Sequence, residues 1–146
     1  MLIGIFGESC VGKSTLAAAL QEKLAAEVYT GKDYLRLAKS EPMARTAFQK
    51  RLRDAVDDGA VIYVISDRED LALLPEGTIR ILVTADLQVI QARFAARLGG
   101  TLPRPVAAML ERKHGSFDHE SRDIHVESGE TDFSEVWAAV QEKARK

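Results

Sequence analysis

The sequence predicts an α/β fold: a parallel β-sheet with helices packed on both faces. Three observations lead there. Strand-like and helix-like runs alternate along the chain, which is the pattern of crossover units joining parallel strands. The strand-like runs, such as LIGIF at 2–6 and VIYVIS at 61–66, are continuously apolar, as strands buried on both faces are. The first of them runs into a glycine-containing loop, GESCVGKST at 7–15, and from there into a helical pattern.

Each element follows from its residues. LIGIF ends at Gly7 and reads as a buried strand. From Lys13, Leu16, Leu20 and Leu24 recur every four residues among good helix formers. EVYT at 27–30 is a short strand before Gly31, and 33–39 reads as a brief helix. Pro42 opens the next helix, because a first turn does not need the missing N–H. Its apolar side is Ala44, Ala47, Phe48, Leu52, Ala55 and Val56, and Gly59 ends it after Asp58. VIYVIS is the third strand. Pro75 and Gly77 mark a turn before IRILVT at 79–84. Asp86 stands at a cap position, and Leu87, Ile90, Phe94 and Leu98 form the stripe of the helix that follows. Gly99, Gly100, Pro103 and Pro105 break the chain, and a helix is expected over about 106–113. DIHVES at 123–128 is the fifth strand. Thr131 or Asp132 caps a last helix, with Phe133, Val136, Trp137 and Val140 on one face.

Composition bounds the function. The 146 residues suit one domain, 1–146, and no linker, repeat or low-complexity segment interrupts them. Net charge is −2, and no long basic run calls for a nucleic-acid partner. A single cysteine, Cys10, excludes an internal disulfide. No apolar stretch nears the roughly 20 residues a membrane helix needs, and LIGIF is too short for a signal segment. A soluble cytoplasmic protein is expected. His114, His119 and His125 form no metal-ligand motif. There is no serine nucleophile elbow, Rossmann glycine pattern or EF-hand loop.

The chemistry is concentrated in the loop. Gly7, Gly12, Lys13 and Ser14 satisfy G-x-x-x-x-G-K-[ST], the phosphate-binding pattern of a three-layer P-loop NTPase fold with a five-stranded parallel sheet. Glycines allow backbone angles other residues resist, so successive N–H groups can turn toward phosphate oxygens. The following helix adds the positive end of its dipole. Lys13 supplies a full charge to the β- and γ-phosphates, and the Ser14 hydroxyl suits Mg²⁺. The run Gly7, Glu8, Ser9, Cys10, Val11, Gly12, Lys13, Ser14 and Thr15 is therefore expected to hold ATP, with Thr15 near the α-phosphate. VIYVIS followed by Asp67 has the form of a Walker B strand, whose carboxylate would face the loop and help Ser14 position Mg²⁺. Arg93 and Arg97 lie four residues apart on one helix side. From there they can stabilise a transferring phosphoryl group, with Gly99 and Gly100 as hinges.

Residues 30–38, TGKDYLRLA, resemble the acceptor-binding segment of adenylate and cytidylate kinases, with Lys32 as one extra residue against the former. The Asp67-Arg68 pair resembles the pair after this strand in thymidylate kinases. The chain is thus similar to P-loop nucleoside/nucleotide monophosphate kinases. The resemblance implies an acceptor region at about 31–58 and a short lid at about 93–112. It assigns Arg36 to the acceptor phosphate, with Thr30, Gly31 and Asp33 beside it. It also places Glu127, Ser128 and Gly129 near the ATP base. The expected activity is ATP- and Mg²⁺-dependent phosphorylation of a nucleoside monophosphate, with Lys13, Arg36, Asp67, Arg93 and Arg97 acting in transfer. Two alternatives stand beside it. One is a kinase of another small metabolite, as in shikimate or gluconate kinases. The other is a nucleotide-binding regulatory protein with little turnover.

Overall fold

A computed structural model describes residues 1–145. Five strands form one sheet in the order β2-β3-β1-β4-β5: β1 Leu2–Phe6, β2 Glu27–Thr30, β3 Val61–Ile65, β4 Ile79–Thr84 and β5 Ile124–Glu127. Every pairing is parallel. The helices α1 Lys13–Leu24, α2 Glu41–Asp57, α3 Leu87–Arg97, α4 Arg104–Lys113 and α5 Phe133–Ala144 connect and flank the strands. Two short 3₁₀ segments, Asp33–Leu37 and Arg68–Leu73, follow β2 and β3. Among the described residues no helix is long and apolar enough to cross a membrane.

β1 is central, in register with β3 from Leu2 opposite Val61 to Phe6 opposite Ile65, and with β4 from Ile3 opposite Ile79. All five of its residues are buried. Side-chain alternation along a strand divides the interior into two cores. Ile3 and Ile5 join Ile62, Val64, Ile81 and Val83 against Leu16 and Leu20 of α1 and Val136 and Val140 of α5. Leu2 and Phe6 join Tyr63, Ile65 and Leu82 against Ala44, Phe48, Leu52 and Ala55 of α2.

Phe48 organises the second core. Its ring lies 4.9 Å from Tyr29, 4.9 Å from Tyr34 in a stack tilted by 8°, and 4.8 Å from Tyr63 edge-on. It thereby ties α2 to β2, to β3 and to the 3₁₀ segment after β2. The helix that carries it starts cleanly: Ser40 Oγ accepts from the Met43 N–H at 3.3 Å, and Pro42 sits in the first turn.

The structure changes several boundaries. The brief helix expected over 33–39 is a 3₁₀ segment and covers only 33–37. A second such segment, 68–73, follows β3. α4 begins at Arg104, two residues before the expected start. Asp86 and Asp132 occupy the N-cap positions of α3 and α5 without a side-chain capping hydrogen bond. Leu98 lies past the end of α3 and is exposed, because the stripe it was expected to extend stops where the chain turns.

Phe48 touches three aromatic rings and is fully buried. Phe48→Ala is therefore expected to cost about 3–5 kcal/mol of stability, read as a lower urea midpoint in equilibrium unfolding.

Candidate functional site

The site is built where β1 hands the chain to α1. The Gly7 N–H donates to the Ile65 carbonyl at 3.3 Å. A Cβ at Gly7 would stand 2.3 Å from the Val83 carbonyl oxygen, so only glycine passes under β4. Cys10 and Gly12 have φ of 66° and 105°, both left-handed. Gly12 opens α1 with no side-chain capping bond. The N–H groups of that first turn therefore keep their capacity for an anion.

Lys13 is only 6% exposed. Its Nζ donates to the Gly7 carbonyl at 2.7 Å and the Glu8 carbonyl at 2.5 Å, folding the loop around its own ammonium. Burial lowers its pKa to about 8, against the raising influence of Cys10 and Glu8. Glu8 holds the outside of the loop. Its carboxylate accepts from the Gly115 N–H at 3.2 Å and lies 3.2 Å from His114 Nδ1.

Two cavities meet at this loop. The smaller, about 150 Å³, is lined by Ser9 to Thr15 of the loop apart from Val11, by Thr30, Val64 and Ser66, and by Arg97. The larger, about 450 Å³, shares Cys10, Gly12, Thr15 and Arg97. It continues between Arg93, Ser128 and Thr131 to an apolar end at Phe133 and Val136. One end is thus polar and cationic and the other apolar, within the size range of small-molecule sites. Arg93 closes the junction: Nη1 donates to the Cys10 carbonyl at 3.0 Å and Nη2 to Ser128 Oγ at 3.0 Å.

The structure thus brings Lys13, Ser14, Thr15, Thr30, Arg93, Arg97 and Ser128 around two cavities that share part of their lining. It places three other residues elsewhere. Asp67 is solvent-exposed and lies outside the cavity lining, where Ser66 stands instead. The Arg36 guanidinium lies 5.3 Å from the centre of the Tyr29 ring, close enough to Glu27 to help lower that carboxyl's pKa behind the larger influence of Arg51. Glu27 begins β2, so Arg36 leans toward the end of the sheet opposite the loop. Asp33 Oδ2 accepts from the Thr30 N–H at 2.9 Å and closes the turn around Gly31. No group of three or more His, Cys, Asp or Glu suited to a metal occurs among the described residues. The Ser14 hydroxyl is nonetheless suited to Mg²⁺ carried mainly by phosphate oxygens and water, as that ion commonly is.

Ser66 and the grip of Glu8 on 114–115 escaped the sequence reading. Ser66 ends the apolar run VIYVIS and reads as a strand residue, and nothing local marks Glu8 as a partner of residues 106 and 107 positions away.

No protein-family profile matches the chain, and no curated protein sequence does so. Solved structures do. A gluconokinase from Sinorhizobium meliloti 1021 superposes with a TM-score of 0.61 at 17% identity, covering 98% of this chain and 90% of that one. Shikimate kinase from Aquifex aeolicus vf5 gives 0.54 at 19%, covering 99% of each. The YorR protein from Bacillus subtilis, in complex with phosphorylated GDP, gives 0.64 at 20%, covering 99% and 96%. The chain therefore shares the fold of these structures, a five-stranded parallel sheet flanked by helices.

The lowered Lys13 pKa has a consequence for stability. Between about pH 8 and 10.5 the unfolded chain keeps this proton while the folded chain releases it. Stability therefore gains from this residue as pH rises through that window. Lys13→Met should remove the gain. The check is the urea midpoint of both proteins at pH 7.5 and 10, with the variant showing the smaller rise or the larger fall.

Proposed function

We propose that the protein is an ATP- and Mg²⁺-dependent phosphotransferase acting on a small hydroxylated metabolite. The observation that carries this is the gathering of Lys13, Arg93 and Arg97 around the phosphate loop and its cavities. A protein that only held a nucleotide would not need two arginines over the loop besides its lysine. Phosphoryl transfer does, because charge moves onto the leaving oxygen and must be met by fixed cations.

In this reading the polyphosphate of ATP lies along the loop N–H groups and the start of α1. The base takes the larger cavity between Ser128, Thr131 and Phe133. Lys13 exchanges its two carbonyl partners for phosphate oxygens. Mg²⁺, when bound, neutralises phosphate charge beside Ser14. An acceptor oxygen placed near Thr30 and Ser66 attacks the γ-phosphorus. The bond to the β–γ bridging oxygen breaks, ADP leaves, and the acceptor's proton passes to solvent. Arg97, which lines both cavities, steadies the group in flight. Asp67 lies outside the cavity lining but follows Ser66 directly, and in this reading it orients the incoming molecule through water.

A nucleoside monophosphate acceptor is the second reading, supported by the TGKDYLRLA segment and its Arg36. It requires Arg36 to leave the Tyr29 ring and turn into the cleft. The position of Arg36 favours an acceptor that needs no phosphate clamp, as for a gluconokinase or a shikimate kinase.

Lys13→Ala is expected to abolish ATP turnover. Substantial residual turnover in an ADP-release assay would sink the loop assignment. Arg97→Ala should lower kcat about 10²–10³-fold, the loss seen when one transition-state donor is removed, with a smaller change in the KM for ATP. A panel of hydroxylated acids, sugars and mononucleotides in the same assay sorts the acceptors. Stimulation by mononucleotides alone, with loss in Arg36→Ala, would restore the second reading. No stimulation by any acceptor would instead favour a binding protein with little turnover.

A further inference from the structure

The phosphate loop carries a carboxylate in a place suited to anions. Glu8 is its second residue, and a full negative charge repels a polyphosphate beside it. The side chain is nevertheless not left to solvent, being only 13% exposed. It accepts from the Gly115 N–H at 3.2 Å and lies 3.2 Å from His114 Nδ1. Both partners belong to the turn after α4, and that turn is firmly seated. Phe117, 3% exposed, sets its ring 6.0 Å from the ring of Phe6, the last residue of β1. Two contacts therefore join the same two stretches of chain. One is apolar, at the root of the loop, and the other is polar, two residues further on.

The main chain of the same residue meets Lys13. The Glu8 carbonyl accepts from Lys13 Nζ at 2.5 Å, beside the Gly7 carbonyl at 2.7 Å. When Lys13 exchanges these carbonyls for phosphate oxygens, the first two loop residues lose that hold. Two others remain to them: the Gly7 N–H on the Ile65 carbonyl, and the Glu8 carboxylate on the turn at 114–115. Further along, Arg93 holds the Cys10 carbonyl from outside. A loop whose N–H groups are fixed before the ligand arrives loses less freedom on binding it, and so binds more tightly.

We propose that Glu8 is a positioning residue: its carboxylate, anchored on the His114–Gly115 turn, holds the phosphate loop in its binding shape and so raises the affinity for ATP despite its charge. This role rests on the phosphotransferase reading, in which ATP occupies the loop. The sign of a substitution separates it from that of a bystander. Removing a carboxylate that merely stands near the phosphates relieves repulsion and tightens nucleotide binding. Removing a tether loosens it.

The full-length protein, Glu8→Ala, Glu8→Gln and His114→Ala are titrated with a non-hydrolysable ATP analogue and Mg²⁺, at a temperature where thermal unfolding shows each to be folded. The titration is run at pH 7, below the Lys13 pKa of about 8. Glu8→Ala should raise Kd about fivefold or more, the worth of a hydrogen bond to a charged group or of two ordinary ones. Glu8→Gln loses the charge but keeps an oxygen for the Gly115 N–H, and should bind at least as tightly as the wild type. His114→Ala removes one contact without touching the loop, and should weaken binding in the same direction but by less. If Glu8→Ala binds as tightly as the wild type or more tightly, or if Glu8→Gln loses as much as Glu8→Ala, the proposal falls and the phosphotransferase reading stands. Should Glu8→Ala not fold, unchanged affinity in His114→Ala would overturn the proposal and weakened affinity would uphold it. A wild type that does not bind the analogue would remove the phosphotransferase reading and the proposal with it.

Discussion

Everything at the site depends on β1 being hydrogen-bonded on both edges and buried on both faces. A strand held by β3 on one side and β4 on the other, with none of its side chains in solvent, cannot shift without breaking the two cores together. The chain leaving its end is therefore fixed in position and direction. It passes so close beneath the Val83 carbonyl that the first loop residue has no room for a side chain. The loop then completes its turn through left-handed residues and delivers the uncapped first turn of α1 at the C-terminal end of the central strand. Rigid packing below and unsatisfied donors above are two sides of the same arrangement.

Lys13 shows how the arrangement holds charge ready. Its ammonium is almost out of water and rests on two carbonyls of its own loop. Those partners carry partial charge only, so burial still weakens its hold on the proton. A phosphate oxygen would be a better partner than either, and the loop would not have to fold anew to provide it. Arg93 extends the same logic to the next layer. One guanidinium spans the loop at Cys10 and the turn after β5 at Ser128, so α3 and both segments share one set of contacts.

The segments after β2 and β3 are organised by another principle. They are stapled by Lys32 and Asp70, while the aromatic cluster around Phe48 holds them to α2.

The order of elements was legible in the sequence because it depends on local patterns. Apolar β-branched runs such as VIYVI, the leucines of α1 spaced by four, and the glycines of the loop each act over a few residues. The phosphate loop was legible for the same reason: its geometry is set by residues adjacent in the chain. The end of α3 and the two 3₁₀ segments were not. Their shape follows from what the segments pack against, and short helical patterns do not distinguish the two helix types.

What faces the cleft was decided only in three dimensions. Ser66 and Asp67 are neighbours just past the end of β3, both exposed, and of the two only Ser66 lines the cavity. Arg36 reads in sequence as an acceptor cation, yet the tyrosine ring at 29 holds its guanidinium near Glu27. The sequence by itself determined a five-strand α/β order and the glycine-bounded loop between β1 and α1, because hydrophobic periodicity and glycine spacing are local constraints. The partners of Glu8, Arg93 and Asp70 are 35 to 107 residues away. Only tertiary packing chooses among groups so distant, because it alone decides which side chains lose water together.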